Sequence, residues 1–216
     1  MRIVGIGAGG HAKVVLECVQ ARADAEVIGL LDNDPEQHGR IVLGCKVLGG
    51  DERLAQLNSE GVSHAFIGIG GVKDNTPRRK VFENLLRLHY QVLTVISENA
   101  IVSPSAIVGA GTVICPGAIV AAGARIGRNV IINTGAIVEH DCEIADHAHV
   151  ASGAILAGNV SVGEGAHIGA GATVRQGLNI GRAAVVALGA AVIDDVAAGA
   201  VVGGVPAKPI RAVVGA

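Results

Sequence analysis

From Ile96 onward an aliphatic side chain recurs at every sixth position, through Val102, Val108, Ile114 and Val120, without a break to Val192. A second column four residues after each is mostly alanine, as at Ala100, Ala106, Ala118 and Ala124, and passes through Cys142. Neither a heptad nor a 3.6-residue period fits this pattern. A period of six over so long a stretch predicts a parallel β-helix, in which short strands stack coil upon coil and each buries one aliphatic. Three hexapeptides close a triangular coil of 18 residues, giving about five and a half coils. Residues 18 apart then lie above one another at about 4.8 Å.

Before Ile96 the pattern is different. "RIVGIG", "AEVIGLLD", "VSHAFIGIG" and "QVLTVI" are short apolar runs that predict strands. "HAKVVLECVQARA" carries Val14, Val15, Cys18 and Val19 at helical spacing, and "TPRRKVFENLLRLHY" is amphipathic with Pro77 near its start, where proline is tolerated. Strands alternating with helices predict a small parallel α/β sheet. The chain therefore divides into an α/β domain over 1–95, an all-β parallel β-helix over 96–200 and a C-terminal tail over 201–216.

Composition narrows the class. The formal charge is −2 and no Lys/Arg block occurs, which gives no support to nucleic-acid or membrane-surface binding. The aromatics are Phe66, Phe82 and Tyr90, all in the first domain, so the β-helix core must be built from small and β-branched side chains. Cys18, Cys45, Cys115 and Cys142 show no C-x-x-C spacing; a disulfide framework or cysteine metal site is not expected, and a reducing compartment fits. Glycines and His11 interrupt the apolar start, which does not read as a signal peptide, and no apolar run is long enough to span a membrane. A cytoplasmic protein is expected.

Three histidines, His140, His147 and His149, fall within "IVEHDCEIADHAHV". The repeat places all three outside the coil: His140 at a corner, His147 where glycine is usual, and His149 on an outer face stacked with His167, 18 residues on. Solvated decoration is the bland reading, and the three share no convergent geometry for a metal. Register favours catalysis at one of them. Gly158 is 18 residues after His140, so its free N–H would sit one coil above the imidazole, pairing an oxyanion donor with a general base as acyl transfer requires. Asp141 would orient the ring. Cys142 falls in the inward column and is not placed to act as a nucleophile.

The six-residue array, "NTGAIVEHDCEI", "LAGNVSVGEGAHIGAGA" and the closing "GVPAKPI" resemble the left-handed β-helix acyltransferases. "GIGAGGHAKVV" followed by "LLDND" is similar to the branch that acetylates nucleotide-linked amino sugars and sialic acid, with the bacillosamine-pathway and perosamine N-acetyltransferases nearest. The resemblance implies a left-handed coil and a homotrimer with active sites between neighbouring β-helices. It implies His140 as general base, Asp141 as its partner, Gly158 as oxyanion donor and Asn133 as a substrate contact. Acetyl-CoA, the co-substrate, would run past His149, Ala170 and Leu188, with Pro206 and Lys208 near its adenine end. No metal is implied.

"GIGAGG" also satisfies G-x-G-x-x-G after a strand and before a helix, with Asp32 ending the next strand, which leaves an NAD-binding protein as a rival. Ninety-five residues are too few for the double mononucleotide unit, and no dehydrogenase set follows. The same loop suits the diphosphate of a nucleotide sugar at a helix N-terminus. By resemblance, Gly7, Gly9, Gly10 and His11 would meet the diphosphate or sugar, Asp32 and Asn33 the base or ribose, and Gly68 to Gly71, Gly70 included, the other side. The expected activity is acetyl transfer to the 4-amino group of a nucleotide-linked 4-amino-4,6-dideoxyhexose in glycan biosynthesis, with GDP-perosamine slightly favoured over UDP-linked sugars. An O-acetyltransferase of a sialic-acid-type sugar and a non-catalytic nucleotide-sugar-binding trimeric scaffold are the alternatives.

Overall fold

The computed structural model describes residues 1–71 and 74–211, the side chain of Arg211 excepted. The chain forms two compact units: Met1–Gly70 with Pro77–Val95, and Gly71–Thr76 with the chain from Ile96. Residues 212–216 of the expected tail lie outside the described residues.

In the first unit the strands β1 (Arg2–Ile6), β2 (Glu26–Leu31), β3 (Ile41–Val42), β4 (Cys45–Gly49), β5 (His64–Ile67) and β6 (Gln91–Val92) form a sheet in the order β3-β4-β2-β1-β5-β6. All neighbouring pairs are parallel except the β3–β4 hairpin. That hairpin adds one antiparallel pair to the expected parallel sheet, and Gly44 at φ 80° makes the tight return that "VLGCKV" hides within an apolar run. The helices are α1 (Gly10–Gln20), α2 (Leu54–Ser59) and α3 (Thr76–Arg87). Val4, Ile6, Leu31, Phe66, Phe82 and Leu85 are buried in this unit. At about 1.5–3 kcal/mol for each large apolar side chain, such burial carries its stability.

The second unit is the solenoid the six-residue period predicts. Its strands are two residues long and build three parallel ladders, in which residues 18 apart are partners: Ile131 with His149, Ile137 with Ile155, Glu143 with Ser161. The inward aliphatics from Ile114 to Val192 and the small column through Ala136, Cys142, Ala148 and Ala154 form one continuous core. Ile96, at the open end of the stack, is the exception and is 44 % exposed, since no coil covers it.

From Gly111 to Gly189 every corner passes through a left-handed residue in the third position after the inward aliphatic. Glycine fills most of these positions, as at Gly153 and Gly171, and Asn129, Asp141, His147, Asn159 and Ala183 fill others at φ 53–62°. The glycine richness of the second half is therefore a requirement of its corners. Beyond the last full coil, Val201–Gly203 continues one ladder in parallel beside Val185–Val186 and then pairs antiparallel with Lys208–Arg211. The expected tail from 201 is thus part of the solenoid sheet, because Val201 and Val202 extend the aliphatic column's ladder.

Candidate active site

His140 and Gly158 lie at the same corner on successive coils. Asn159 N–H donates to His140 O at 2.9 Å, and Gly177 N–H donates to Gly158 O at 3.0 Å, which locks the corners in vertical register. The imidazole Nε2 is 2.5 Å and Cε1 2.6 Å from the point a Cβ on Gly158 would occupy. Only glycine leaves room for the ring there. Gly158 N–H has no hydrogen-bond acceptor among the described residues. His140 Nδ1 donates to Asp141 Oδ2 at 2.9 Å, which leaves Nε2 as the basic nitrogen, on the Gly158 side. Asp141 reaches back to its neighbour because its φ of 59° turns the chain at that residue. Both side chains are more than half exposed. Cys142 is fully buried in the small column, its Sγ donates to Ala157 O at 3.2 Å, and burial raises its thiol pKa. It has neither access nor thiolate character.

The outer-face histidines do not match the expectation of solvation. His147, His149 and His167 are all buried, at 8 %, 5 % and 7 % exposure. They point away from the coil core, as the register requires, but Gly71 and Asn75, a segment outside the repeat, cover part of that face. His149 Nδ1 donates to Gly71 O at 2.8 Å, and Asn75 Nδ2 donates to His147 O at 3.0 Å. Asn133 Nδ2 donates to His149 Nε2 at 3.1 Å, so both ring nitrogens of His149 are engaged and the ring serves as a wall. His167 packs edge to face against it with centroids 4.9 Å apart. Burial lowers the His167 pKa and favours the neutral ring.

These rings line a mostly apolar cavity of about 480 Å³ together with Asn133, Ala170, Leu188 and Ile210. Asn133, His149, Ala170 and Leu188 are thereby brought together. Lys208 is not: it is largely exposed, 4.0 Å from Asp194, while Ile210 of the same strand lines the cavity instead.

A second cavity, of about 340 Å³, opens in the first unit and is lined by Gly7, Gly9, Gly10, His11, Asp32, Asn33, Gly68 and Gly70, all expected, and by Asp51, which was not. Asp32, besides lining this cavity, braces the glycine loop. Its Oδ2 accepts Ala8 N–H at 2.8 Å and its Oδ1 accepts Asp34 N–H at 2.9 Å, so the carboxylate ties the glycine loop to the end of β2. His11 is driven down to a pKa of about 4 by burial first and by the Arg78 guanidinium second, which keeps the ring neutral. Arg78 itself is buried and donates to Ile67 O and Ile69 O, both at 2.8 Å, fixing the loop that carries Gly68 and Gly70. Asp51 could have been found from "KVLGGD", a strand ending in two glycines and a carboxylate at the sheet's carboxyl edge.

Comparison with protein families matches residues 2–85 to the PglD N-terminal domain and residues 123–158 to the bacterial transferase hexapeptide (six repeats). No curated protein matches. Among solved structures, PerB from Caulobacter crescentus in complex with CoA and GDP-perosamine is 38 % identical, with 98 % of each chain covered and a TM-score of 0.91. The same perosamine N-acetyltransferase has been solved with one histidine replaced by asparagine or alanine. The acetyltransferase domain of PglB from Neisseria gonorrhoeae is 36 % identical over 97 % of this chain and 99 % of that one, TM-score 0.88. WeeI from Acinetobacter baumannii is 28 % identical over 97 % and 100 %, TM-score 0.84.

Proposed function

From a chain that belongs to the left-handed β-helix, hexapeptide-repeat acetyltransferases of nucleotide-linked amino sugars, we propose acetyl transfer from acetyl-CoA to the 4-amino group of a nucleotide-linked 4-amino-4,6-dideoxyhexose, GDP-perosamine before UDP-linked sugars. The observation that carries the reading is the His140–Gly158 stack, a base and a free N–H donor on adjacent coils of a fold shared along nearly its whole length with a perosamine N-acetyltransferase.

In this reading His140 Nε2 takes a proton from the sugar amine as its nitrogen attacks the thioester carbonyl. The tetrahedral oxyanion meets Gly158 N–H. The C–S bond then breaks and CoA leaves as thiolate, with no acyl-enzyme. Asp141 holds the imidazole in the tautomer that keeps Nε2 basic and offsets the positive charge that develops on it. The cavity beside Asn133, His149, Ala170 and Leu188 takes the pantetheine arm, and the cavity at the glycine loop takes the nucleotide sugar, with the diphosphate at the α1 N-terminus.

A homotrimer is part of the proposal. One face of the solenoid carries an outward ladder of Ile101, Ile119, Ile137 and Ile155, with Ile101 66 % exposed, and His140 lies at the corner just beyond Ile137–Val138. A ladder of exposed and half-buried isoleucines beside an exposed base is what a second subunit would cover, drying the site. We also assign the enzyme to the cytoplasm, where acetyl-CoA is available; no helix among the described residues is long and apolar enough to cross a membrane.

The test is a panel of GDP- and UDP-linked 4-amino sugars and of hydroxyl acceptors, with CoA thiol release as readout. Release with amino but not hydroxyl acceptors is expected. Release with hydroxyl acceptors alone, or with none, overturns the reading. Sedimentation of wild type and Ile155→Asp checks the trimer: the variant should fall to monomers and lose activity with them.

A further inference from the structure

The cavity in the first unit ends in a carboxylate that the glycine-loop reading leaves without a task. Asp51 follows β4 after Gly49 and Gly50, at the carboxyl edge of the sheet. A reciprocal pair of hydrogen bonds holds it: Asn33 Nδ2 donates to Asp51 Oδ2 at 3.0 Å, and Asp51 N–H donates to Asn33 Oδ1 at 2.9 Å. The other oxygen, Oδ1, is buried and has no hydrogen-bond partner among the described residues. A carboxylate oxygen kept from water without a donor is costly, and a ligand N–H that reaches it removes that cost.

Strand order fixes which part of the ligand meets this group. Across the sheet edge run the ends of β4 (Asp51), β2 (Asn33), β1 (the glycine loop) and β5 (Gly68 to Gly70). A nucleoside diphosphate sugar carries its diphosphate in the middle, and the middle of this row is the glycine loop at the α1 N-terminus. Base and sugar then lie on opposite sides of it. A carboxylate repels phosphate, and its acceptor-only oxygens suit the ring N–H groups of a base. The base therefore lies over β2 and β4.

We propose that Asp51 reads the nucleobase and that the base it selects is guanine. An ionised carboxylate only accepts hydrogen bonds. Guanine presents N1–H and its 2-amino group side by side, which two carboxylate oxygens can take together in a bidentate, charge-assisted pair. Uracil presents a single N–H between two carbonyl oxygens, and those oxygens would face the carboxylate lone pairs. The inference rests on the nucleotide-sugar reading above and turns its preference for GDP into a property of one side chain.

Calorimetric titration of the protein with GDP, IDP and UDP, without acetyl-CoA, tests it. IDP keeps N1–H and lacks the 2-amino group. GDP should bind wild type roughly 10- to 100-fold more tightly than IDP, the range for one hydrogen bond to a charged group, with UDP weakest. In Asp51→Asn, at an unchanged melting temperature, the GDP-over-IDP preference should collapse to within about threefold. Equal affinities for GDP and IDP in wild type overturn the inference without any variant, so a folding defect in Asp51→Asn does not shield it. A variant that keeps the full preference overturns it too. Acetylation assays separate the two readings: acetylation of UDP- and GDP-linked amino sugars with equal efficiency removes only the base reading. A GDP-over-IDP preference in a protein that acetylates no amino sugar keeps the base reading and removes the reaction.

Discussion

A Cβ on Gly158 would stand 2.5 Å from His140 Nε2, closer than side-chain atoms ever pack. Gly158 is not at a left-handed corner position, so its substitution meets a neighbour and no backbone penalty. Gly158→Ala should therefore displace the imidazole and lower kcat by about 10²-fold or more, while the melting temperature changes little, as for exposed positions generally. Thermal melts alongside steady-state kinetics check both halves.

His140→Ala should lower turnover by roughly 10²–10⁴-fold, the range for loss of a general base. Turnover close to that of wild type would remove His140 from the mechanism.

Asp141 offers a cleaner probe than most acidic partners. Its φ of 59° is tolerated best by glycine and asparagine, so Asp141→Asn removes the charge without straining the corner. We expect kcat to fall about tenfold or more with KM for acetyl-CoA unchanged, and the pH profile of kcat/KM to shift. Asp141→Ala should in addition destabilise the protein, since alanine at this φ costs about 1 kcal/mol.

The left-handed alanine at Ala183, φ 53°, marks the converse case. Ala183→Gly should stabilise the protein by roughly 0.5 kcal/mol, the relief of about 1–2 kcal/mol of backbone strain less the entropy glycine adds to the unfolded chain. A rise in melting temperature of the purified variant checks this.

His11, neutral with a pKa of about 4 in the folded state, has an unfolded value of 6.5. Between these values the unfolded chain binds the proton and the folded chain refuses it. Stability from this residue is therefore complete above about pH 6.5 and falls as pH drops toward 4, by about 3 kcal/mol in all. Melting curves from pH 7 to pH 5 should show a steeper loss in wild type than in His11→Asn.

Much of the second unit was legible because its physics is one-dimensional. An aliphatic every six residues fixes the coil, the coil fixes the 18-residue stack, and the stack brings His140 to Gly158. The covering of His149 was not legible, since Gly71 and Asn75 precede the repeat and nothing in the period says that they lie on its face. Asp32 and Asp51 show a second limit. Their positions at strand ends follow from sequence, but only the hydrogen bonds distinguish the carboxylate spent on Ala8 and Asp34 from the one left with an open acceptor.

Ser152, Ala170 and Leu188 occupy one corner on three successive coils along the apolar cavity. Chain length there acts as a ruler. Deleting 18 residues between them would shorten the groove by about 4.8 Å and leave every side chain facing its original direction. Deleting six would rotate all that follows onto the next face, carrying a wall residue around the prism and out of the cavity. Changes in groove length are thus open to this scaffold only in whole turns.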